Sequence, residues 1–397
     1  MRVFCWRVLM VSGDYKIGYK RLFGRIAEDL MQLENLKPYP IMEVDAFTSK
    51  SDVRLFVKVE HDNAGGSDPL RSIKRKPACI MGLFADEMNP KKDIWVSASS
   101  GNFALELGLL ANEVDKKVFA VVPPRTPRRR IETLRSLGVN VVMVSEEEYD
   151  LCPREFTVFM VRALAKRYSN IVNVDQYNSV LNPLAHMLLT AREIDEKFRG
   201  DLTHIFIPLG STGTFTGIYE YFSRLNSKVK IVGVQPTGVH RIPGVHNVVG
   251  DCKWSPEIFG LPDVKETKIL TVDDRSAYEA LMELEVEYGV HGGPSTGMVF
   301  AAVKREVESG NINKDSGILM ISADSSWDYR EWNMEVLADL KSDFSESGRE
   351  YLEKYEEILD SRERGESRVI MVKRLYNPKV EGELYSLEKF EEKLTSM

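Results

Sequence analysis

The sequence predicts an α/β fold with parallel sheets. Two observations support this: short runs rich in β-branched residues alternate with amphipathic helical stretches, and glycine- and hydroxyl-rich turns sit beside them. "KVFAVV", "VNVVMV", "HIFIP", "KVKIVGVQ" and "GILMIS" have the length and composition of strands. Between them, "TPRRRIETLRSL" and "NPLAHMLLTAREIDEKF" carry helical periodicity. "VRLFVKVE" alternates, placing Val53, Leu55, Val57 and Val59 on one strand face. Residues 1–50 read as an irregular lead-in with an amphipathic helix around "YKRLFGRIAEDLMQLENL". Beyond residue 335 the pattern changes. "YLEKYEEILDSRERGES" puts Tyr351, Leu352, Tyr355, Ile358 and Leu359 at helical spacing, and "RVIMVKRLY" then reads as a strand. This appended segment is expected to be a packing arm or a dimer contact.

At 397 residues and 43% hydrophobic, the chain can bury a large core, and at about 150 residues per domain it predicts two or three domains. Lys plus Arg total 53 against 60 Asp plus Glu, a net charge of -7, which argues against broad attraction to nucleic acid or an anionic membrane. No apolar run approaches the ~20 residues that span a bilayer, and the opening "MRVFCWRVLMVSGDYK" lacks a small-residue cleavage site, so a cytoplasmic protein is expected. Cys5, Cys79, Cys152 and Cys252 form no C-x-x-C pair and are expected to be reduced thiols, with no metal site.

Four turns carry the chemical signal. "SASSGNFALELGLLA" places Ser99, Ser100 and Asn102 at a helix start, where free backbone N–H groups favour an anion. "HIFIPLGSTGTFTGIYEYF" is a strand, a glycine loop and a helix, a concave set of amides suited to a phosphate. Its glycines, Gly210, Gly213 and Gly217, do not have the G-x-G-x-x-G spacing of a dinucleotide site, and the next strand ends at Gln235 rather than an acid. The loop also lacks a Walker lysine, which counts against ATP. "GVHGGPSTGMVFAAV" sets Ser295 and Thr296 between glycines, and "ILMISADSSWDY" ends a strand at Asp324, Ser325 and Ser326. Taken singly, each is equally well a helix cap or a plain turn. Together they offer one phosphate cradle and several neutral hydrogen bonders, an inventory that suits a phosphorylated organic cofactor bonded to a lysine.

In their order along the chain these segments resemble the fold-type II pyridoxal 5'-phosphate enzymes, the superfamily of cysteine synthase and the tryptophan synthase β-subunit. "GGSDPLRSIKRKPA" resembles the lysine segment G-G-S-x-K-D-R-x-A, "SSGN" the T-S-G-N substrate loop, and "GSTGT" the phosphate loop. "GPSTG" resembles the G-x-S-S-G turn, "DSSWDY" the closing D-S-G-x-x-Y, and "NVDQYNSVLNPLAH" the Q-x-x-N-P-x-x-H segment. Within the superfamily, the archaeal O-phosphoserine sulfhydrylases share an N-terminal extension and an I-P-G segment like "RIPGVHNVV".

The resemblance implies a tryptophan synthase β-like architecture, two three-layer lobes with parallel sheets and the cofactor in the cleft between them. Residues 51–85 and 190–335 would form the large cofactor-binding domain and 86–189 the small substrate-loop domain. Residues 1–50 and 336–397 would be extensions. It implies that Lys74 forms the imine with pyridoxal 5'-phosphate and later takes the substrate Cα proton. Asn102 would contact the ring hydroxyl, Gly210, Ser211, Thr212, Gly213 and Thr214 the phosphate, and Ser295 the ring nitrogen. A neutral hydroxyl at that nitrogen favours expelling a β-leaving group over transamination.

Ser99, Ser100 and Gln176, together with Asn102, would bind the substrate, with the "SSGN" loop closing over its carboxylate. Arg241 and His246, flanking "IPGV", are candidates for a leaving phosphate, since arginine clamps phosphate bidentately. The charges of "TPRRR" are expected to be mostly solvated. The implied reaction is β-substitution on an O-activated L-serine, O-phosphoserine ahead of O-acetylserine, with sulfide, giving L-cysteine in a homodimeric enzyme.

Three departures bear on this. Arg75 stands where an aspartate is usual, with "DPLR" inserted just before the lysine; His291 and Gly292 precede the serine turn; and Pro294 stiffens it. They leave open a different nucleophile (sulfite, thiosulfate or an amine), a serine or threonine dehydratase, or a non-catalytic protein that binds the cofactor.

Overall fold

The computed structural model describes residues 39–47, 52–61, 72–150, 156–248, 267–363 and 381–396. The expected N-terminal helix, the "RVIMVKRLY" strand, the "DPLR" insertion, Cys5, Cys152 and Cys252 lie outside the described residues. In chain order the strands are β1 (Ile41–Val44), β2 (Arg54–Val59), β3 (Ile94–Ala98), β4 (Lys117–Val122), β5 (Asn140–Met143) and β6 (Ile171–Asn173). They continue as β7 (His204–Pro208), β8 (Lys230–Pro236), β9 (Lys268–Val272), β10 (Gly317–Ser322) and β11 (Leu384–Ser386). The helices used below are α1 (Arg75–Met88), α2 (Asn102–Glu113), α3 (Arg128–Ser136), α4 (Phe156–Arg167), α5 (Leu181–Ala185) and α6 (Ala191–Phe198). They continue as α7 (Gly213–Arg224), α8 (Asp274–Tyr288), α9 (Pro294–Glu308), α10 (Arg330–Leu340), α11 (Glu346–Glu363) and α12 (Leu387–Ser396).

The strands make two sheets. The larger runs β1-β2-β10-β7-β8-β9, parallel except for β1, which pairs antiparallel with β2. The smaller runs β11-β5-β4-β3-β6 and is parallel throughout. Every residue of β3 and β10 is buried, as expected for strands covered by helices on both faces, where apolar runs replace alternation. β2 does alternate, but its polar face is exposed only at its first residue, Arg54. Leu55, Val57 and Val59 enter one core, while Lys58 and, just past the strand, Glu60 are fully buried on the opposite side.

Each sheet is the middle of three layers. One face of the large sheet packs Leu55, Val57 and Met320 against Val299 and Phe300 of α9 and Leu281 of α8. Its other face packs Ile205, Ile207 and Leu319 against Phe215 and Ile218 of α7 and Ile194 of α6. In the small lobe, Trp95 and Val118 meet Leu107 and Leu110 of α2 on one side; Val96 and Phe119 meet Val161 of α4 and Phe390 of α12 on the other. The domain division expected after residue 85 falls inside α1. That helix sends Ala78, Ile80, Met81 and Ala85 into the small-lobe core, where Gly82 lies close against Leu110 and Trp95. Only its first turn, with Lys74 just ahead of it, faces the large lobe's strand ends.

The C-terminal segment touches both lobes. Leu352, Tyr355 and Leu359 of α11 join the large-lobe core beside α8, whereas β11 extends the small sheet parallel to β5, and Phe390 stacks on Phe119 at 4.6 Å. No helix among the described residues is long and apolar enough to cross a membrane.

Candidate active site

The site residues gather at the carboxyl ends of parallel strands, where the segments after β2, β3, β7 and β10 face one another across the lobes. After β2 the chain re-enters at Ser72, whose N–H and Oγ both donate to the buried Glu106 Oε1, at 2.9 and 3.1 Å. Ile73 N donates to Ala323 O just beyond β10, so the turn bearing Lys74 is pinned to both lobes. Lys74 is partly buried, and among the described residues its Nζ has no hydrogen-bond partner. Burial lowers its pKa to about 8, against the opposing pull of the Asp324 carboxylate.

The phosphate-like loop is built by close approach. A Cβ at Gly210 would fall on Gly244 O, and one at Gly213 on the Asn182 side-chain amide, so only glycine fits at either position. Thr212 between them is held in the left-handed region at φ 63°, a conformation that β-branched residues rarely adopt. Its buried Oγ1 has no partner, and it stands at the N-terminus of α7, where backbone N–H groups are unpaired by the helix. An orphaned hydroxyl, a strained turn and a helix N-terminus together fit a phosphate group.

Two residues of the "NPLAH" segment support this loop. Asn182 Nδ2 donates to Ser211 Oγ at 3.0 Å and to Gln176 O at 2.7 Å, joining the cradle to the Gln176 turn. His186 Nε2 lies 3.2 Å from Thr214 Oγ1 and its Nδ1 3.0 Å from Thr190 Oγ1, at the start of a π turn, His186–Thr190. Such a turn often marks a functional position. Burial, reinforced by Lys74 and Lys76, pushes the His186 pKa down to about 3, so its imidazole is neutral. Both residues stood in the quoted motif without a role; the proline-interrupted helix was the signal available.

Asp324 is the hub between the lobes. Its Oδ2 accepts from Asn102 Nδ2 and from Tyr329 Oη, both at 2.7 Å, and its backbone carbonyl accepts from Gly293 N at 2.8 Å. Ser326 N donates to His291 O, so the turn before buried Ser295, in the first turn of α9, is fastened to the end of β10. The expectation that the "TPRRR" charges are mostly solvated needs correcting for Arg130. Arg128 is exposed and pairs with Glu132, but Arg130 Nη1 donates to Asn102 Oδ1 at 3.2 Å, and its guanidinium lies over the Tyr329 ring at 5.6 Å.

Ser99 and Ser100 line a cavity of about 400 Å³ together with Thr157, Tyr177, His240 and His246. Gln176 is buried beside Tyr177. Arg241 is not among the cavity's lining residues. Its Nη1 binds Asp339 at 2.6 Å, and its backbone N–H donates to Asp274, which turns the guanidinium toward α10. Of the two flanking candidates the structure thus brings only His246 to the cleft. Cys79 is buried and unbonded, with its thiol pushed up to about 12 by burial. Among the described residues no group of metal-binding side chains is assembled.

A family model described as "Pyridoxal-phosphate dependent enzyme" matches residues 33–324. Cysteine synthase B of Escherichia coli is 27% identical, covering 72% of this chain and 89% of its own. Cystathionine beta-synthase of Saccharomyces cerevisiae is 27% identical over 70% of this chain and 57% of its own. Among solved structures, an O-ureido-L-serine synthase superposes with a TM-score of 0.64 at 22% identity, covering 75% of this chain and 92% of that one. The O-acetylserine dependent cystathionine beta-synthase from Helicobacter pylori also gives 0.64 at 22%, over 75% and 95%. At that identity the structural likeness speaks for the fold alone.

Proposed function

The chain belongs to the family of pyridoxal-phosphate dependent enzymes, with a fold-type II arrangement and cysteine synthase-like relatives, and from that premise we infer that it carries out β-substitution on an O-activated L-serine, with sulfide as nucleophile and L-cysteine as product. The cradle at residues 210–214, with its unpartnered Thr212 hydroxyl, fits the cofactor phosphate. Asn102 and Ser295 would hold the ring hydroxyl and the ring nitrogen. When bound, pyridoxal 5'-phosphate supplies the electron sink for bond breaking at the amino acid Cα.

The observation that carries this reading is the Lys74 amine: buried enough to titrate near pH 8, yet held by no hydrogen bond among the described residues. At neutral pH roughly a tenth of it is unprotonated. In that form Nζ can bond the cofactor and can accept the donor's Cα proton, later returning it. Ser99, Ser100 and Gln176 would seat the donor carboxylate and hold the Cα–H bond toward Nζ. As the leaving group departs from Cβ with its bonding electrons, hydrosulfide adds at the same carbon.

Of the two donors, O-phosphoserine is the one proposed, on the strength of His246 and His240 at the cavity wall. Arg241, bound to Asp339, is not part of that support. A second reading rests on the altered lysine segment, with Arg75 where an aspartate is usual: β-substitution with a bulkier nucleophile such as an amine, sulfite or thiosulfate. A homodimer is the proposed assembly, checked by light scattering.

The deciding experiment supplies purified protein with pyridoxal 5'-phosphate and compares O-phosphoserine with O-acetylserine, each with and without sulfide, sulfite, thiosulfate or an amine. Cysteine from O-phosphoserine and sulfide is the expected result. Ammonia and pyruvate without any nucleophile would instead identify a dehydratase. A cofactor spectrum with no turnover on any donor would identify a binding protein.

A further inference from the structure

Asn102 is clamped from both ends. Its Nδ2 reaches the Asp324 carboxylate at 2.7 Å, a pure acceptor, and its Oδ1 takes the Arg130 guanidinium at 3.2 Å, a pure donor, so the two partners together specify which way the amide faces. Arg130 does more than donate. It sits over the Tyr329 ring at 5.6 Å, and Tyr329 in turn donates to the same Asp324 oxygen. Asn102 and Arg130 open α2 and α3 of the small lobe, while Asp324 and Tyr329 follow β10 of the large one. Beside them Arg129 pairs with Glu331 at 2.8 Å across the same seam, but the Arg129 side chain is 40% exposed and the Glu331 side chain 63%.

We propose that Arg130 is a positioning residue for the cleft: it fixes the Asn102 amide and, through the Tyr329 ring, ties that orientation to the seating of the small lobe on the large one. The proposal rests on the reading that Asn102 faces the cofactor. Without Arg130, the amide keeps its hold on Asp324 and a longer contact, 3.5 Å, to Tyr329 Oη, but both are at Nδ2; Oδ1 loses its donor, and the amide gains freedom to swing about its Nδ2 end. A side chain that must present one N–H toward a cofactor hydroxyl then spends part of its time misdirected. The neighbouring Arg129 pair is solvent-accessible and does not touch Asn102, and it should matter little.

The test uses full-length protein titrated with pyridoxal 5'-phosphate, following affinity by equilibrium dialysis and the absorption spectrum of the bound cofactor. Arg130→Met should weaken cofactor binding about 10-fold and shift the balance of absorbing forms, the loss of one charged hydrogen bond at a partly exposed site. Arg130→Lys should recover part of both effects, and Arg129→Ala should stay within about 2-fold of wild type. Because Arg130 acts largely through Asn102, adding Arg130→Met to Asn102→Ala should cost less than Arg130→Met costs alone, the remainder being its contact with the Tyr329 ring. Full additivity in that cycle, or an Arg130→Met protein with wild-type affinity and spectrum, overturns the inference while leaving the functional reading intact. Wild-type protein that binds no cofactor overturns the functional reading and this inference with it.

Discussion

Lys58 and Lys76 are almost wholly buried, yet each has a carboxylate within 3.0 Å: Lys58 meets Glu193 at 2.7 Å, and Lys76 meets both Glu60 and Glu193 at 3.0 Å. Lys74, two residues from Lys76, is less buried, and among the described residues its amine has no hydrogen-bond partner. Burial by itself would lower the Lys58 pKa, but Glu60 and Glu193 outweigh it and the net shift is upward. Burial would likewise raise the Glu60 carboxyl, and Lys76 and Lys58 reverse that, bringing it to about 2. At Lys74 only the more distant Asp324 opposes desolvation, and the pKa falls to about 8. Depth of burial therefore does not mark the reactive amine. Burial without a counter-charge does, and the paired lysines form a fixed ionic floor beneath the unpaired one.

The sharpest way to break this contrast is to remove each amine in turn. Lys74→Ala should lower cysteine formation by at least about 10³-fold, since the variant lacks both the attachment point and the proton acceptor. Borohydride reduction of the holoprotein should label the peptide containing Lys74 in wild type and nothing in the variant. A label on Lys58 or Lys76 would reverse the assignment. Lys76→Met should instead act on the fold. It leaves Glu60 buried with Lys58, at 3.3 Å, as its one remaining cation among the described residues, and should cost about 3 kcal/mol, the low end for a broken buried pair. The urea midpoint measures it.

How much of this was legible in the sequence follows from the range of the interactions. The 210–214 loop could be picked out because its glycines, hydroxyls and following helix are contiguous in the sequence, although the groups that demand glycine there, Gly244 O and the Asn182 amide, come from distant segments. The strands of both sheets could be read wherever β-branched runs were unbroken, as in β4, β7 and β10. β1, β3, β6, β9 and β11 are not among the runs singled out in the sequence. Four of them, β1, β9, β11 and β6, are the sheet edges, fixed by pairing with β2, β8, β5 and β3 rather than by their own composition, and the interior β3 runs directly into the serine-rich turn. The ionic floor was hidden for a related reason. Lys58 and Glu193 are 135 residues apart, and the alternation in "VRLFVKVE" looks the same whether its polar face meets water or a carboxylate. Arg241 and Arg130 both depart from expectation because an arginine's partners depend on which acceptors the fold brings near it. Asp339 holds the first away from the cavity, and Asn102 draws the second inward.

The same contrast has a pH signature on each side. If Lys74 Nζ is the base, turnover at saturating donor should rise with pH through the amine's pKa in the donor-bound enzyme and level off above it. The floor responds at the acid end. A carboxyl held at about 2, against a usual 4.5, contributes stability that is complete above pH 4.5 and lost as the pH falls toward 2. The stability gap between wild type and Glu60→Gln should therefore close over that interval, as followed by urea denaturation. A gap that persists at pH 2 would mean that the carboxylate's charge is not what stabilises the cluster.

The smallest effect is also the most discriminating, because its sign differs between neighbours. In the cofactor-free protein, Lys74 is an amine held at about 8 in the fold and 10.5 when unfolded, so between those values the unfolded chain binds more protons and stability rises with pH. Below pH 8 both states are protonated, and the fold carries the full cost of a desolvated, unpaired charge. Lys74→Met removes that cost and should stabilise the cofactor-free protein at pH 7 by about 1 kcal/mol, a figure discounted for the amine's partial exposure. The gain should fade toward pH 10.5, where the wild-type amine is neutral in the fold. Lys76→Met, two residues away, should destabilise at pH 7. Urea midpoints of the two variants at pH 7 and pH 10 decide the matter: if both lose stability at pH 7, Lys74 is paired in solution, and the distinction between the reactive lysine and its structural neighbours fails.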